Sequence, residues 1–314
     1  MKFFLEPIFP KFSVELKHEN PILLWGSCFS DELAEYFTQA GFQIQSNLLG
    51  TVFHPLAIIK QLESLLSNSD EACFEYNKQW YSWNASHTLR FDNQEAYGVY
   101  FQSVHESFME WIQKKDCTFI ITLGSAWGYT LKSSNKIVAN CHKQPSQLFD
   151  KVFATPDEIA RAFESLILKL YQLNPSLRVC FTVSPVRHIR DGLIENNQSK
   201  ASLIEALRQI QLRLPQTVYL PTYELVLDVL RDYRFYKVDL VHPNDQAIHF
   251  VWDFLKQHTM SQETAKLSQE AARFTAFKGH IPVDTSEEAN QKRMLKLQSW
   301  QQELAAKGVV VNLV

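Results

Sequence analysis

Two short stretches carry residue types that can do covalent chemistry. Ser27 and Cys28 lie side by side in Gly26-Ser27-Cys28-Phe29, and far along the chain Asp239 stands three residues before His242 in Asp239-Leu240-Val241-His242-Pro243. A hydroxyl or thiol becomes an effective nucleophile when a neighbouring base removes its proton. An Asp three residues ahead of a His in a turn can accept the proton on one imidazole nitrogen and leave the other facing such a nucleophile. Each stretch also has an ordinary explanation. Gly-Ser-Cys is compatible with a tight turn, a capping hydroxyl and a core thiol, and Asp-x-x-His with a helix cap and a surface histidine. Their pairing in one chain makes the chemical reading specific. Ser184-Pro185-Val186-Arg187-His188 adds groups suited either to holding an anion or polar substrate or to bracing a loop.

Positioning these groups requires strands that end beside one another. Ile22 to Trp25 is an apolar run of strand length, and Leu33, Ala34, Phe37 and Ala40 recur at helical spacing before Gly41, so the stretch reads strand, tight turn, helix. That turn puts Ser27 and Cys28 at a helix N-terminus, where unpaired N–H groups favour a thiolate or a developing oxyanion. Phe42-Gln43-Ile44 is a second strand, and Asn47 and Gly50 follow it. Leu56, Ile59, Leu62 and Leu66 form a helix face. Cys117 to Leu123 is a buried strand ending at Gly124-Ser125-Ala126-Trp127-Gly128, with a loop running on to Phe153. Thr155-Pro156-Asp157-Glu158 opens a helix with a capping box, and Arg178 to Val183 is a further strand. Ser199 is read as the cap of a helix carrying Leu203, Leu207, Ile210 and Leu214. Val218 to Leu220 gives another strand, Glu224 to Arg231 a helix, and Ala247, Ile248, Val251 and Leu255 the helix after His242.

Repeated strand–helix units predict an α/β fold over residues 1–258, with an aromatic-rich insertion around 72–97. A mainly helical extension covers 259–314, including a cap at Asp284-Thr285-Ser286-Glu287 and a terminal apolar run, Val309 to Val314, that could dock as a strand. In the insertion, Trp80 and Trp83 either touch substrate or pack beneath it.

At 314 residues the chain can bury a large core, and 46% hydrophobic with 21% charged residues is ordinary for a globular protein. A net charge of −3 and the lack of a basic aromatic stripe argue against a nucleic-acid or anionic-membrane partner. Five cysteines, Cys28, Cys73, Cys117, Cys141 and Cys180, form no CxxC pair, which points to thiols in a reducing compartment. Met1 to Pro7 reads as an edge or strand of the mature fold and not as a leader, because Glu6 and Pro7 interrupt its apolar residues. No stretch has the apolar length of a membrane span, so a cytoplasmic location is expected. Asn140-Cys141-His142-Lys143 has the look of a metal corner but no second ligand pair, so neither metal nor cofactor is expected.

The chain resembles the GSCFA family, assigned to the wider SGNH/GDSL hydrolase-like group. The resemblance is carried by Gly26-Ser27-Cys28-Phe29, Asn47-Leu48-Leu49-Gly50, Leu123-Gly124-Ser125-Ala126-Trp127, Asn140-Cys141-His142-Lys143 and Ser184-Pro185-Val186-Arg187-His188. It continues through Asn197-Gln198-Ser199-Lys200, Arg231-Asp232-Tyr233-Arg234-Phe235-Tyr236 and Asp239-Leu240-Val241-His242-Pro243, and these blocks span roughly residues 20–255. It implies a three-layer α/β/α sandwich with a mostly parallel, flavodoxin-like sheet, a nucleophile after the first strand and the late Asp-x-x-His pair. Laid over the Gly-Asp-Ser-Leu pattern, Cys28 takes the nucleophile position; a shift of one residue restores Ser27.

The resemblance also implies a mechanism and a substrate class. His242, oriented by Asp239, would take the proton, and the N–H groups of Cys28 and Gly50 would hold the oxyanion. Asn47, Gly124, Ser125, Arg187 and His188 are candidates for substrate binding. The group's usual oxyanion Asn is replaced by Ala126, for which Ser125, Asn47 or the Arg187-His188 pair would compensate. The expected activity is an esterase or deacylase working through an acyl-enzyme on a small-molecule or glycan ester, in carbohydrate or a cell-envelope precursor. The alternatives are an O-acyltransferase and an inactive glycan-binding or interaction module.

Overall fold

A strand that is apolar at every position must be covered on both faces, and Ile22 to Gly26 is fully buried. The computed structural model describes residues 5, 7–70, 73–280 and 286–313. In chain order the elements begin with β1 (Ile22–Gly26), α1 (Cys28–Gln39), β2 (Ile44–Ser46), α2 (Pro55–Leu66), β3 (Cys73–Tyr76), β4 (Gln79–Ser82) and α3 (Gln94–Ile112). Next come β5 (Thr118–Leu123), β6 (Trp127–Leu131), β7 (Lys136–Val138), β8 (Phe149–Phe153), α4 (Pro156–Leu173), β9 (Arg178–Val183), α5 (Leu193–Arg213) and β10 (Val218–Tyr219). The chain continues with α6 (Thr222–Glu224), which runs on as π-helix over Leu225–Leu230, and with α7 (Asp245–Thr259), α8 (Gln262–Gly279) and α9 (Glu287–Ala305).

The main sheet has the order β2-β1-β5-β9-β10 with every pairing parallel. Alternate residues feed two cores. Leu23 and Trp25 of β1 pack with α2, α3, α4 and α5 on one face, while Ile22 and Leu24 pack with α1, the π-helical turn and α7 on the other. The result is a three-layer α/β/α sandwich of flavodoxin-like order, with α8 and α9 as a C-terminal helical extension. From β1 the chain moves outward to β2, then crosses to β5 on the opposite side. The strand order therefore reverses between β1 and β5, the place where open α/β sheets form a crevice at their carboxyl ends.

Gly26 closes β1 under a tight constraint. Its φ is +128°, and a Cβ there would lie 2.1 Å from the carbonyl oxygen of Thr122. Its N–H is donated to Asn47 Oδ1 at 2.7 Å and its carbonyl accepts from Val52 N–H at 2.9 Å. Gly26→Ala is expected to cost roughly 3 kcal/mol or more, from the disfavoured backbone plus a clash with a strand that cannot yield. Urea unfolding would register this as a lower midpoint, and an unchanged midpoint would refute it.

Several elements differ from the sequence expectation. The segment read as a loop to Phe153 holds an antiparallel sheet of order β7-β6-β8, whose strands are too short and too mixed in polarity to stand out. The aromatic insertion contains the β3–β4 hairpin, turned by Asn77 and Lys78 with φ of 51° and 62°, the left-handed pair that two-residue hairpins favour. Trp83 stacks on Phe74 with ring centroids 3.8 Å apart, a packing role. Helix α5 begins at Leu193, after Gly192, and places Ser199 in its interior. There the Ser199 hydroxyl accepts the Ala126 N–H at 2.7 Å instead of capping. Residues 309–311 follow α9 without forming a strand; Val310 N–H donates to Gly41 O at 2.8 Å, and Val309 and Val311 close a small core with α8 and α9. Ser286 caps α9, whereas Asp284, Thr285, Val314 and most of Met1 to Pro7 lie outside the described residues. Among the described residues no helix is long and apolar enough to cross a membrane.

Candidate active site

Helix α1 starts at Cys28 because Gly26 and the extended Ser27 turn the chain sharply out of β1. Ser27 N–H is pinned to Thr122 O at 3.1 Å, and Ser27 O accepts from Ser30 N–H at 2.8 Å. The two adjacent residues then face different surroundings. Ser27 is fully buried, makes no side-chain cap bond, and its Oγ has no hydrogen-bond partner among the described residues. Cys28 is partly exposed and lines a cleft of about 870 Å³ at the carboxyl ends of the strands. His242 lines the same cleft, as do Ser125, Arg187 and His188.

The loop carrying His242 is folded over α1 by specific bonds. Lys237 N–H donates to His242 O at 2.7 Å, Tyr236 and Pro243 form an isolated bridge, and Lys237 Nζ reaches Glu32 of α1 at 2.8 Å. Leu240 adopts φ of 58°, which bends the loop so that Asp239 turns back on His242. One carboxylate oxygen accepts the N–H groups of Val241 at 2.9 Å and His242 at 3.0 Å; the other meets His242 Nδ1 at 2.6 Å. These bonds hold the Asp239 carboxyl down at about 2, so it is ionised at neutral pH and assigns the proton to Nδ1. Nε2 of His242 is then the nitrogen free to act as a base.

Electrostatics at Cys28 run against the sequence expectation of a favoured thiolate. Burial pushes the thiol up to about 11, and the carboxylates of Glu32 and Asp31 add to the effect. Its own backbone N–H and Lys200 oppose them without prevailing. A thiol so placed is protonated at neutral pH and reacts only if a base takes its proton.

Three predicted groups have other commitments. Asn47, at φ of 42°, accepts Gly26 N–H through Oδ1 and donates through Nδ2 to Asp31 at 2.7 Å, so its amide holds the turn together. Gly50 N–H is donated to Asn47 O at 2.6 Å, which turns the expected second oxyanion donor into part of a loop. Gly124 approaches Phe53 closely, with its N–H on Phe53 O at 2.9 Å. Ser125 is placed better for contact: its Oγ accepts Trp127 N–H at 3.1 Å, shares a 3.2 Å bond with Ser199 Oγ, and borders the cleft. His142 of the suspected metal corner bonds Ser82 O at 2.8 Å and packs among Phe74, Tyr81 and Trp83. Among the described residues no cluster of three or more His, Cys, Asp or Glu is placed to hold a metal.

Sequence reasoning missed Lys200 and His54. Lys200 is 1% exposed and donates to Gly124 O and Ser184 O, both at 2.7 Å, so one ammonium ties the carboxyl ends of β5 and β9 beneath the cleft. Burial lowers it to about 7, with Cys28 acting in the opposite direction. Its signal was present: Lys200 lies three and seven residues before Leu203 and Leu207, on the apolar stripe of α5. His54 precedes α2, borders the cleft and is pushed down to about 4 by burial. Gly128 packs so closely on its ring that a Cβ would lie 2.6 Å away.

The protein is thus a parallel α/β/α sandwich with a thiol after β1 and an Asp-bonded His on a late loop. Residues 21–254 match the model of the GSCFA family, and the chain belongs to that family. Solved structures with a similar course include a candidate GDSL-like lipase from Parabacteroides merdae, 12% identical, with a TM-score of 0.39 over 84% of this chain and 99% of that one. A candidate acylhydrolase from Bacteroides fragilis is 11% identical, with a TM-score of 0.40 over 82% and 91% of the two chains. An acetyl xylan esterase from Butyrivibrio proteoclasticus is 11% identical, with a TM-score of 0.38 over 78% and 65%. No functionally curated protein matches the chain.

Proposed function

We propose that this chain is a thiol-dependent ester hydrolase of the SGNH type, an esterase or deacylase, in which Cys28 is the nucleophile and His242 the base. The observation that carries the reading is the shared cleft: Cys28 borders it together with His242, whose Nδ1 is held by Asp239 at 2.6 Å. His242 Nε2 takes the proton from Cys28 Sγ, and the sulfur attacks the acyl carbonyl to form a tetrahedral intermediate. That intermediate collapses to a thioester as His242 returns the proton to the departing alcohol. Water, activated by the same nitrogen, then releases the acid and the free thiol. The oxyanion is met by Cys28 N–H at the first turn of α1. The hydroxyl of Ser125 is the second donor, with the Ser199 hydroxyl donating to Ser125 Oγ. Ser125 thereby fills the role of the Asn replaced by Ala126. Esters of carbohydrates or cell-envelope precursors are the proposed substrates, in a reducing compartment that keeps Cys28 a thiol.

Labelling with iodoacetamide and, separately, a fluorophosphonate, followed by peptide mass mapping, tests the assignment. Modification is expected at Cys28 and not Ser27, and iodoacetamide modification should fall at least about tenfold in His242→Ala. Labelling of Ser27, or equal labelling in the variant, contradicts it, and inert residues at both positions favour a binding module.

A further inference from the structure

We infer that the cleft contains an anion subsite centred on Arg187, so that the ester this chain accepts carries a carboxylate or phosphate group near its acyl bond. The inference rests on the reading of Cys28 and His242 as the reacting pair, but its geometry is separate. Arg187 is half-buried, and its guanidinium lies over the rings of Tyr233 at 5.2 Å and Tyr236 at 4.8 Å. Nη1 donates to Tyr233 Oη at 3.0 Å, and the Arg187 N–H donates to Val241 O at 3.2 Å, next to His242. The side chain is thus fixed by neutral partners and, among the described residues, forms no ion pair. A guanidinium held over aromatic faces keeps its remaining N–H groups for an oxyacid, whose two oxygens match its planar fork.

The surroundings share this bias. Lys143 and Arg190 also line the cleft, and neither makes an ion pair among the described residues. Asp191, the carboxylate bordering the same cleft, is taken by Lys151 at 2.5 Å. His188 Nε2 is buried with no hydrogen-bond partner among the described residues, and its ring packs against Phe53. In a chain of net charge −3, three Lys and Arg side chains around one concavity, Lys143, Arg187 and Arg190, are a local feature that favours an anionic ligand there, while His188, pushed down to about 4 by burial, is a neutral neighbour. The neutral walls, Phe53, Trp127 and Tyr129, leave room for the uncharged part of the ester.

Isothermal titration calorimetry with succinate and with inorganic phosphate, at constant ionic strength, tests the subsite without any need for turnover. Wild-type protein is expected to bind at least one of the two, and the stronger ligand identifies the oxyacid. Arg187→Met should weaken binding about tenfold or more, Arg187→Lys less, and Arg208→Met, at an exposed arginine paired with Glu205, not at all. Circular dichroism confirms that each variant is folded. No binding of either ion to wild type, or equal binding by a folded Arg187→Met, overturns the subsite. Iodoacetamide labelling of the same samples separates the two claims. His242-dependent labelling without anion binding removes the subsite and keeps the hydrolase, whereas Arg187-dependent binding beside an inert Cys28 does the reverse.

Discussion

Cys28→Ala is expected to abolish hydrolysis of an activated aryl acetate above the uncatalysed rate, while His242→Ala leaves a residue about 10³-fold below wild type. On the proposed mechanism the larger effect belongs to the sulfur, because no other group would form the bond. The second follows from the state of the thiol. With its titration pushed up to about 11, Cys28 holds very little thiolate at neutral pH, so nearly all of its reactivity there must come from proton removal by His242. The pH profile separates the two contributions. In His242→Ala the residual rate should climb with each unit of pH until it approaches about 11, following the thiolate fraction, whereas wild type gains far less over the same interval. Parallel profiles would mean that His242 does not serve as the base. Asp239→Asn should act more mildly, since the carboxylate is exposed to water and works by orienting the ring.

Lys200→Met should produce the largest change in stability among the site residues, and one that depends on pH. The substitution removes donors from two carbonyls at the ends of β5 and β9, each hydrogen bond to a charged group contributing about 1.5–3 kcal/mol, while it also relieves the cost of burying an ammonium. These opposing effects shift with protonation. Lys200 is held at about 7 in the folded chain against 10.5 in an unfolded one, so above pH 7 the unfolded state binds more protons and stability rises with pH. Buried thiols oppose this above pH 9, because Cys28, Cys117 and Cys180 are raised in the fold and lose stability as pH climbs past their unfolded value. The clear window is therefore pH 7 to 9. There wild-type stability should increase relative to Lys200→Met, and the penalty of the substitution should widen. Urea midpoints measured at both ends of the window check this; a penalty that shrinks or stays level would contradict it.

The parts of the fold that were legible in sequence are those with a single strong physical cause. Ile22 to Trp25 is a continuous apolar run and Cys117 to Leu123 a mostly apolar one broken only by two threonines, both bounded by turns, so their burial as central parallel strands follows directly. The Thr155 capping box is present as read, with the hydroxyl and Glu158 satisfying each other's backbone groups. Asp239 beside His242 was also readable, because a spacing of three residues in a turn brings carboxylate and imidazole together.

What escaped sequence reasoning depends on partners distant in the chain. Ser199 has every credential of a cap, yet its hydroxyl is claimed by Ala126 N–H across 73 residues, and α5 extends past it. Gly50 looked like an oxyanion donor until its N–H turned inward to Asn47 O, and Asn47 itself is held by Gly26 and Asp31. Lys200 was missed for a related reason. A lysine on an apolar stripe is normally a flaw, and only the carbonyls of Gly124 and Ser184 meeting beneath the cleft make it a brace. The thiol's raised titration likewise comes from burial and from Glu32 and Asp31 on α1, which outweigh the helix N-terminus that sequence alone brings to attention.

Mass spectrometry of the acyl-enzyme is the direct test of Cys28 as the nucleophile. The protein is mixed rapidly with an aryl acetate, quenched in acid and mapped by peptide. One acetyl group is predicted on Cys28 as a thioester, absent in Cys28→Ala and formed much more slowly in His242→Ala. An acetyl group on Ser27, or aryl acetate turnover that persists in Cys28→Ala, would contradict the account.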